Sequence, residues 1–564
     1  MSRTIPLPMA DSVGRRTRDG SDSVVLIGFQ QQANLGLGYL ASVLRADGYT
    51  VQVFDFDQEP QVILDGVRNS QPLLVGFSLI FQFYVDRFRA LAQYLRAHGV
   101  SCHFTIGGHF PSLSYAETLD LIPEVDSVVR FEGEMTVLEL AERLGSGADW
   151  RSVRGIAYRT GADAVATPPR PLIQDLDELP YPDRSAGQRT AVLGRYAAPL
   201  LASRGCARTC SFCSIHMFYR AAPGKVVRTR RPAAVVEEMR MLYEEQGATI
   251  FMFQDDDVPL YGPTWRRWTR DFLTELHRQG LPGRAIWKIN CRADVVEPEL
   301  FADMRDAGLY LVYMGLESGS EAGLETLHKQ ITVEQNLRAV QTLKELGLMF
   351  EFGFMLFDPS TTFESVRENI AFLRAIVGDG SAAAVFCRMI PYDGTPIKAT
   401  LAREGRLRGG VCDPDYDFLD DRLDAYYYEL KRIVDVTGWI HGYNALSPSI
   451  NFAWNEVAIL ERLFPTLPDA DDYKATLREI TRATNALLFQ VVEDLSYAHS
   501  DGCPHSWSAD HLQAEAALFL NRMIGARTEF VGRHQDVLMA ALRERHALPD
   551  PRLATCVEHE RAAP

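Results

Sequence analysis

Three cysteines crowd into the stretch SRGCARTCSFCSIHMFY: Cys206, Cys210 and Cys213, spaced C-x3-C-x2-C. Thiolates this close in sequence can converge on one soft metal centre. Three ligands leave one iron of a four-iron cluster open, and an open metal position is where chemistry can happen. The competing reading is a zinc site with His216, three residues beyond Cys213, as fourth ligand. A zinc knuckle does not need the strand-then-barrel context that surrounds this loop.

Hydrophobic periodicity predicts the elements that must position it. VVLIGF (24–29), VQVFDFD (51–57), LLVGFS (73–78), CHFTIGG (102–108) and VDSVVRF (125–131) read as strands. Leu37, Leu40, Ala41 and Leu44 share one helical face closed by Gly48, and Val85, Phe88, Leu91 and Leu95 share another closed by Gly99. Strands alternating with helices over 23–150 predict a doubly wound parallel sheet, which binds ligands in loops beyond its strand C-termini. Residues 151–197 read as a hairpin and a Pro-rich linker. From 198 to 400 the alternation returns, with strands expected at 199–204, 249–255, 285–292, 310–317, 350–357 and 382–390. Six such units make a partial (β/α)6 barrel, not a closed eight-fold one. Residues 401–564 look mainly helical, and residues 1–22 read as a flexible tail. The fold class is therefore α/β with a helical C-terminal region.

The 564 residues carry 58 Lys+Arg against 74 Asp+Glu, a formal net charge of −16. Nucleic acid and anionic membrane surfaces need clustered Lys and Arg, so the balance argues against both partners. No apolar run approaches the ~18 residues of a membrane span. The N-terminal stretch is polar with scattered Arg and lacks the apolar core of a secretory signal. Nine cysteines, an odd count without such a signal, fit a reducing cytoplasm and a metal or redox site. Cys503 and His505 in DGCPHSW form either a second site or a plain loop.

In this context C-x3-C-x-aromatic-C, with Phe212 as the aromatic, resembles the signature of the radical S-adenosylmethionine (SAM) superfamily. The resemblance implies that Cys206, Cys210 and Cys213 hold a [4Fe-4S] cluster and that SAM chelates the open iron. Reduction of such a cluster cleaves SAM to a 5′-deoxyadenosyl radical. FMFQDDDV (251–258) lies where the family holds the SAM amino group, with Asp255, Asp256 and Asp257 as candidates. YMGLESGS (313–320) resembles the fourth-strand segment, placing Glu317 and Ser318 toward the ribose or methionine part. Strand alternation puts Tyr313 on the face of Glu317, either acting on substrate or packed in the core. GFMLFDPSTT (353–362) sits where the family has its adenine segment, with Phe357 and Asp358 replacing the usual Gly. CRMIPYDGTPI (387–397) resembles the sixth-strand segment, where Arg388 meets the SAM carboxylate, an acidic substrate or a structural partner.

The N-terminal sheet invites a dinucleotide reading, because Gly36, Gly38 and Ala41 fit G-x-G-x-x-[GA] and Asp55 follows. The first glycine, however, stands seven positions beyond Phe29 instead of in the tight turn. NLGLGYLASVLRADGY (34–49), IGGHFPSL (106–113) and VDSVVRFEGEMTVLEL (125–140) instead resemble the cobalamin-binding domain found ahead of one large radical SAM subgroup. Arg130-Phe131 departs from a glycine position of that subgroup's V-x-G-E-G-E segment. The resemblance implies corrin contacts from Ser78, Gly107, Gly108, His109, Gly133 and Glu134, where small residues permit close approach of a flat ring. The loop GFQQQANLG lacks the cobalt-binding His of the D-x-H-x-x-G motif. His109 reads as a loop residue or as a cobalt ligand.

The expectation is a cobalamin-dependent radical SAM C-methyltransferase acting on a small-molecule or peptide natural-product intermediate. It would draw electrons from an external donor such as flavodoxin or ferredoxin. The alternatives are the same cofactors catalysing ring contraction, cyclisation or oxidation, or a non-catalytic B12-binding protein. A tRNA methylthiotransferase is disfavoured, because neither a second three-cysteine array nor a basic C-terminal module is present. Anaerobically purified protein supplied with cobalamin should carry about four irons and about one cobalt per chain by elemental analysis. Zinc in place of iron after anaerobic reconstitution would sink the cluster assignment.

Overall fold

The computed structural model describes residues 22–30, 34–186, 190–258, 262–442 and 444–540. Most of the expected N-terminal tail, part of the GFQQQANLG loop and Cys556 lie outside the described residues. The chain divides into two compact units. The first comprises residues 1–189, 203–230 and 391–415, and the second comprises residues 190–202, 231–390 and 416–564.

The first unit is built on a seven-stranded sheet. Its strands are β1 (Ser23–Gly28), β2 (Thr50–Asp55), β3 (Leu74–Ser78), β4 (His103–Gly107), β5 (Ser127–Val129), β6 (Ile156–Thr160) and β7 (Asp163–Ala166). The order is β2-β1-β3-β4-β5-β6-β7, parallel through β5 and antiparallel for the last two. Strand β1 is buried along its whole length, as a parallel strand covered on both faces must be. Val25 and Ile27 enter one core with the helices Pro60–Ser70 and Val85–Ala97. Val24 and Leu26 enter the other with the helices Leu35–Ala46 and Glu134–Ser146. The hairpin expected as part of a linker therefore completes this sheet.

The dinucleotide reading fails structurally. Gly36 and Gly38 lie inside the helix Leu35–Ala46, which Asn34 caps by accepting the Leu37 amide at 3.1 Å. A Cβ on Gly38 would stand 2.5 Å from the Asp183 carbonyl oxygen, so this glycine serves packing, not phosphate approach.

The second unit carries an open sheet of β8 (Thr190–Val192), β9 (Arg195–Leu200), β10 (Ala248–Phe253), β11 (Ile286–Cys291), β12 (Leu309–Glu317), β13 (Met349–Phe357) and β14 (Cys387–Arg388). The strands lie in sequence order and are parallel except for the β8–β9 hairpin, an incomplete barrel wall. Helices such as Pro232–Gln246, Val333–Glu345 and Phe363–Val377 connect them. The C-terminal part of this unit is helical, led by Asp421–Val436, Leu446–Leu463, Ala470–Asp501 and Ala509–Arg533. No helix among the described residues is long and apolar enough to cross a membrane.

The strand expected at 382–390 shrinks to two residues. The amides of Ala383 and Ala384 donate to Asn451 and Asn485 of the C-terminal helices, both at 2.8 Å, so that apolar run is a core segment without a sheet neighbour.

Two histidines of the first unit are held below the usual imidazole range. Burial lowers His109 to about 4. Burial also lowers His103, with Asp126 opposing and Arg96 and Arg151 adding to the effect. An unfolded His takes up its proton near pH 6.5, before either native ring does. Stability contributed by the neutral rings is therefore complete above about pH 6.5 and declines as pH falls toward 4. Thermal melts should show Tm falling across that window, with a shallower slope in a His103→Asn/His109→Asn variant. An unaltered slope would refute the assignment.

Candidate functional site

The first unit holds the cysteine loop. Ser203–Arg204 pairs antiparallel with Arg228–Thr229 and closes the loop at its base. Gly205 has φ +88° and its missing Cβ would sit 2.1 Å from the Val226 carbonyl oxygen, so only glycine makes this entry turn. Cys210 is buried, while Cys206 and Cys213 are half-buried. Phe212 lies between the second and third cysteines and is half-buried. The cysteines described form no disulfide, and among the described residues no three His, Cys, Asp or Glu side chains converge as a formed metal site. Three thiols on one closed loop nevertheless supply the soft donor set of an iron–sulfur cluster. The His216 ring is held from the same loop, its Nε2 lying 2.9 Å from the Cys210 carbonyl oxygen.

The C-terminal edge of the first sheet is the second feature of this unit. Ser78 ends β3, and Gly107 ends β4. Gly108 has φ +121°, and a Cβ there would stand 2.0 Å from the Leu79 carbonyl oxygen. A Cβ would sit 3.1 Å from the Val129 carbonyl oxygen at Gly107 and 3.3 Å from Leu40 at Gly133. At all three positions the protein itself fills the space a Cβ would take, so these glycines let the loops at the sheet edge pack closely and leave that edge without side chains there. His109 stacks on Phe218 at 4.4 Å between ring centres.

Glu134 departs from the corrin-contact expectation. It is buried, and its Oε1 accepts from Arg204 Nη2 at 2.6 Å. Glu132 accepts from Arg204 at 3.2 Å and from Arg228 at 2.7 and 2.9 Å. Burial alone would lower the Arg204 pKa, but Glu134 and Glu132 raise it well above the usual value. Phe131, at the departure from the glycine pattern, has φ +66°. A non-glycine residue there costs roughly 1–3 kcal/mol, and the ring packs against Phe218 at 5.5 Å.

The second unit holds the residues expected around SAM. Alternation along β10 and beyond leaves Met252, Gln254 and Asp256 half-buried, with Asp255 and Asp257 buried. Both Asp255 carboxylate oxygens lie 3.1 Å from the Ala202 amide, so Asp255 holds the chain at the end of β9. Asp256 therefore lies on the more open face, with Gln254 beside it, a residue that sequence reasoning missed. Ser318 is fully buried and donates to Asn369 at 3.1 Å, which places it in a core network instead of at a ligand. Arg388 is turned from the open face as well: Tyr416, Phe418 and Tyr427 enclose its guanidinium at 4.2, 4.4 and 4.3 Å, and it donates to the Tyr416 carbonyl.

Tyr313, Gly315 and Glu317 alternate onto the more open face of β12. Glu317 adopts φ +66° and pairs with Lys329 Nζ at 2.9 Å, the Lys329 side chain buried and the Glu317 side chain 12% exposed. Gly315 makes room: a Cβ there would stand 2.4 Å from Glu317 Oε1. Lys288 on β11 lies 5.6 Å from the Tyr313 ring centre, and Glu351 on β13 is its strand neighbour. Burial, then the nearby Glu317, Cys387 and Glu351, push the Tyr313 phenol up to about 12. Burial and Glu317 do the same to the Cys387 thiol. Lys288, Lys329, Glu351 and Cys387 were not picked out from sequence. Glu351 offered a signal, a lone charge within the apolar run MFEFGFMLF.

Two stretches of the chain match known protein families. Residues 29–141 match the B12 binding domain, and residues 200–373 match the radical SAM superfamily. An uncharacterized methyltransferase, PH0819, of Pyrococcus horikoshii is 30% identical over 368 residues, covering 64% of this chain and 77% of that protein. The anaerobic magnesium-protoporphyrin IX monomethyl ester cyclase of Rubrivivax gelatinosus is 32% identical over 355 residues, covering 60% of this chain and 61% of the cyclase. The radical SAM methyltransferase TsrM of Kitasatospora setae, solved with cobalamin and a [4Fe-4S] cluster, shares the fold with a TM-score of 0.60 at 18% identity, over 92% of this chain and 99% of TsrM. The chain belongs to the cobalamin-dependent radical SAM enzymes, in their methyltransferase branch. Its cofactors are those of the two matched domains: cobalamin for the first, a [4Fe-4S] cluster with SAM for the second.

The Glu317–Lys329 pair yields a test. Lys329→Met leaves a largely buried carboxylate unpaired and should cost roughly 3–5 kcal/mol in denaturant unfolding. The Glu317→Gln/Lys329→Met double variant should recover much of that loss. Equal stability of Lys329→Met and wild type would contradict the geometry.

Proposed function

We propose that this enzyme transfers a methyl group to a carbon atom of a small-molecule or peptide substrate, using cobalamin, a [4Fe-4S] cluster and SAM. What carries the reading is the packing of the three-cysteine loop into the same compact unit as the glycine-edged parallel sheet. The cofactors supply the methyl carrier and the radical that opens the substrate C–H bond. The protein binds, orients and shields. Cys206, Cys210 and Cys213 ligate iron as thiolates, with Phe212 packed along their loop. Ser78, Gly107, Gly108, His109 and Gly133 form the corrin-facing edge. Glu317, paired with Lys329, and Asp256 accept hydrogen bonds from SAM. Tyr313 keeps its phenolic proton at neutral pH and faces the substrate as a hydrogen-bond donor.

Methyl transfer is favoured over cyclisation because the Pyrococcus methyltransferase is matched over 77% of its length and the Rubrivivax cyclase over 61%. The electron comes from an external donor of the flavodoxin or ferredoxin class. A reducing cytoplasm suits the thiol state of the described cysteines. Reduced holoenzyme given SAM alone should form S-adenosylhomocysteine in proportion to bound cobalt, measured by liquid chromatography and mass spectrometry. Production of 5′-deoxyadenosine with no S-adenosylhomocysteine would overturn methyl transfer and favour the cyclisation reading.

A further inference from the structure

The cysteine loop follows β9 in the chain, yet it packs with the first unit. Its two ends are fixed there by buried charge. Arg204, two residues before Cys206, bonds to both Glu132 and Glu134. Arg228, on the returning strand, bonds to Glu132 and to the Ile173 carbonyl. All four side chains are at most 9% exposed. The second Glu132 oxygen accepts from the Ile173 amide at 2.7 Å. Phe131, next in the chain to Glu132, presses on Phe218 of the helix that begins directly after Cys213. The middle of the loop is held from another side, where the Ile397 amide donates to the Ser211 carbonyl at 3.0 Å.

We propose that Glu132, Glu134 and Phe131 are positioning residues for the iron–sulfur loop, and that they do not contact cobalamin. The EGE segment that follows β5 would then fix the loop that carries the cluster, so cluster retention depends on residues of the cobalamin-binding sequence. Glu132 uses both oxygens on Arg204, Arg228 and the Ile173 amide, and Glu134 uses Oε1 on Arg204, so each carboxylate is already turned toward the base of the loop. A left-handed Phe in place of Gly is retained because its ring buttresses the loop. The proposal is independent of which group the enzyme transfers, because its readouts are metal contents.

The test uses full-length protein reconstituted anaerobically with iron, sulfide and hydroxocobalamin. Glu134→Gln keeps the shape and a hydrogen bond but removes the charge. Phe131→Gly keeps the left-handed backbone without strain and removes the buttress. Both variants should bind cobalt at the wild-type ratio. Both should lose cluster iron at least several-fold faster on challenge with a chelator, with an altered electron paramagnetic resonance signal from the reduced cluster. Loss of cobalt with iron retained would return Glu134 to the corrin face and overturn the proposal. So would loss of both metals together, or unchanged retention of both.

Discussion

The buried pairing of Arg204 and Arg228 with Glu132 and Glu134 is the constraint on which the first unit depends. A charge taken out of water is costly unless matched, and here two guanidinium groups meet two carboxylates with almost no solvent access. Each partner closes a different piece of chain. Glu132 and Glu134 follow β5, whereas Arg204 and Arg228 form the two sides of the cysteine loop's base. Removing any member strands a buried charge, so the loop and the sheet edge form a single cooperative structure. Arginine suits the task better than lysine, because its planar fork satisfies two carboxylates in fixed directions.

The same economy of position governs the sheet edges. At Gly108 and Gly205 the backbone comes so close to a neighbouring carbonyl that a methyl group has no room, and both residues sit at positive φ. Where the chain breaks the rule, at Phe131, the ring gains a packing partner in Phe218. In the second unit Gly315 yields its space to the Glu317 carboxylate. Glu317 is held in a left-handed backbone, with its carboxylate paired to Lys329.

Spacing and periodicity made the three-cysteine loop, the two parallel sheets and the glycine edge legible in the sequence. These features are local, or repeat with the period of the element. What stayed hidden was the partner each polar side chain chooses. Glu134, Asp255, Ser318 and Arg388 occupy motif positions, but an Arg, a backbone amide, an Asn and a set of three aromatic rings respectively claim them. Those partners come from distant sequence, which periodicity does not reach. The Arg388 orientation was partly readable, since neighbours on a strand face opposite ways and Cys387 takes the open side. The supposed strand at 382–390 misled because a small apolar run buries equally well under helices, as Ala383 and Ala384 do against Asn451 and Asn485.

The open face of the second sheet has an electrostatic logic of its own. Glu317 and Lys329 cancel, and the burial that lifts the Glu351 carboxyl is opposed by Lys288. The remaining titratable groups, Tyr313 and Cys387, face carboxylates and are pushed toward their neutral forms. A nucleophilic phenolate or thiolate beside SAM would compete for its methyl group in a polar reaction. In their neutral forms the two groups present an O–H and an S–H on this face instead. Glu317 and Glu351 thus act through the field they set on their neighbours. The Glu317 part of that field is fixed in place by geometry, because its carboxylate is tied to the Lys329 ammonium at 2.9 Å.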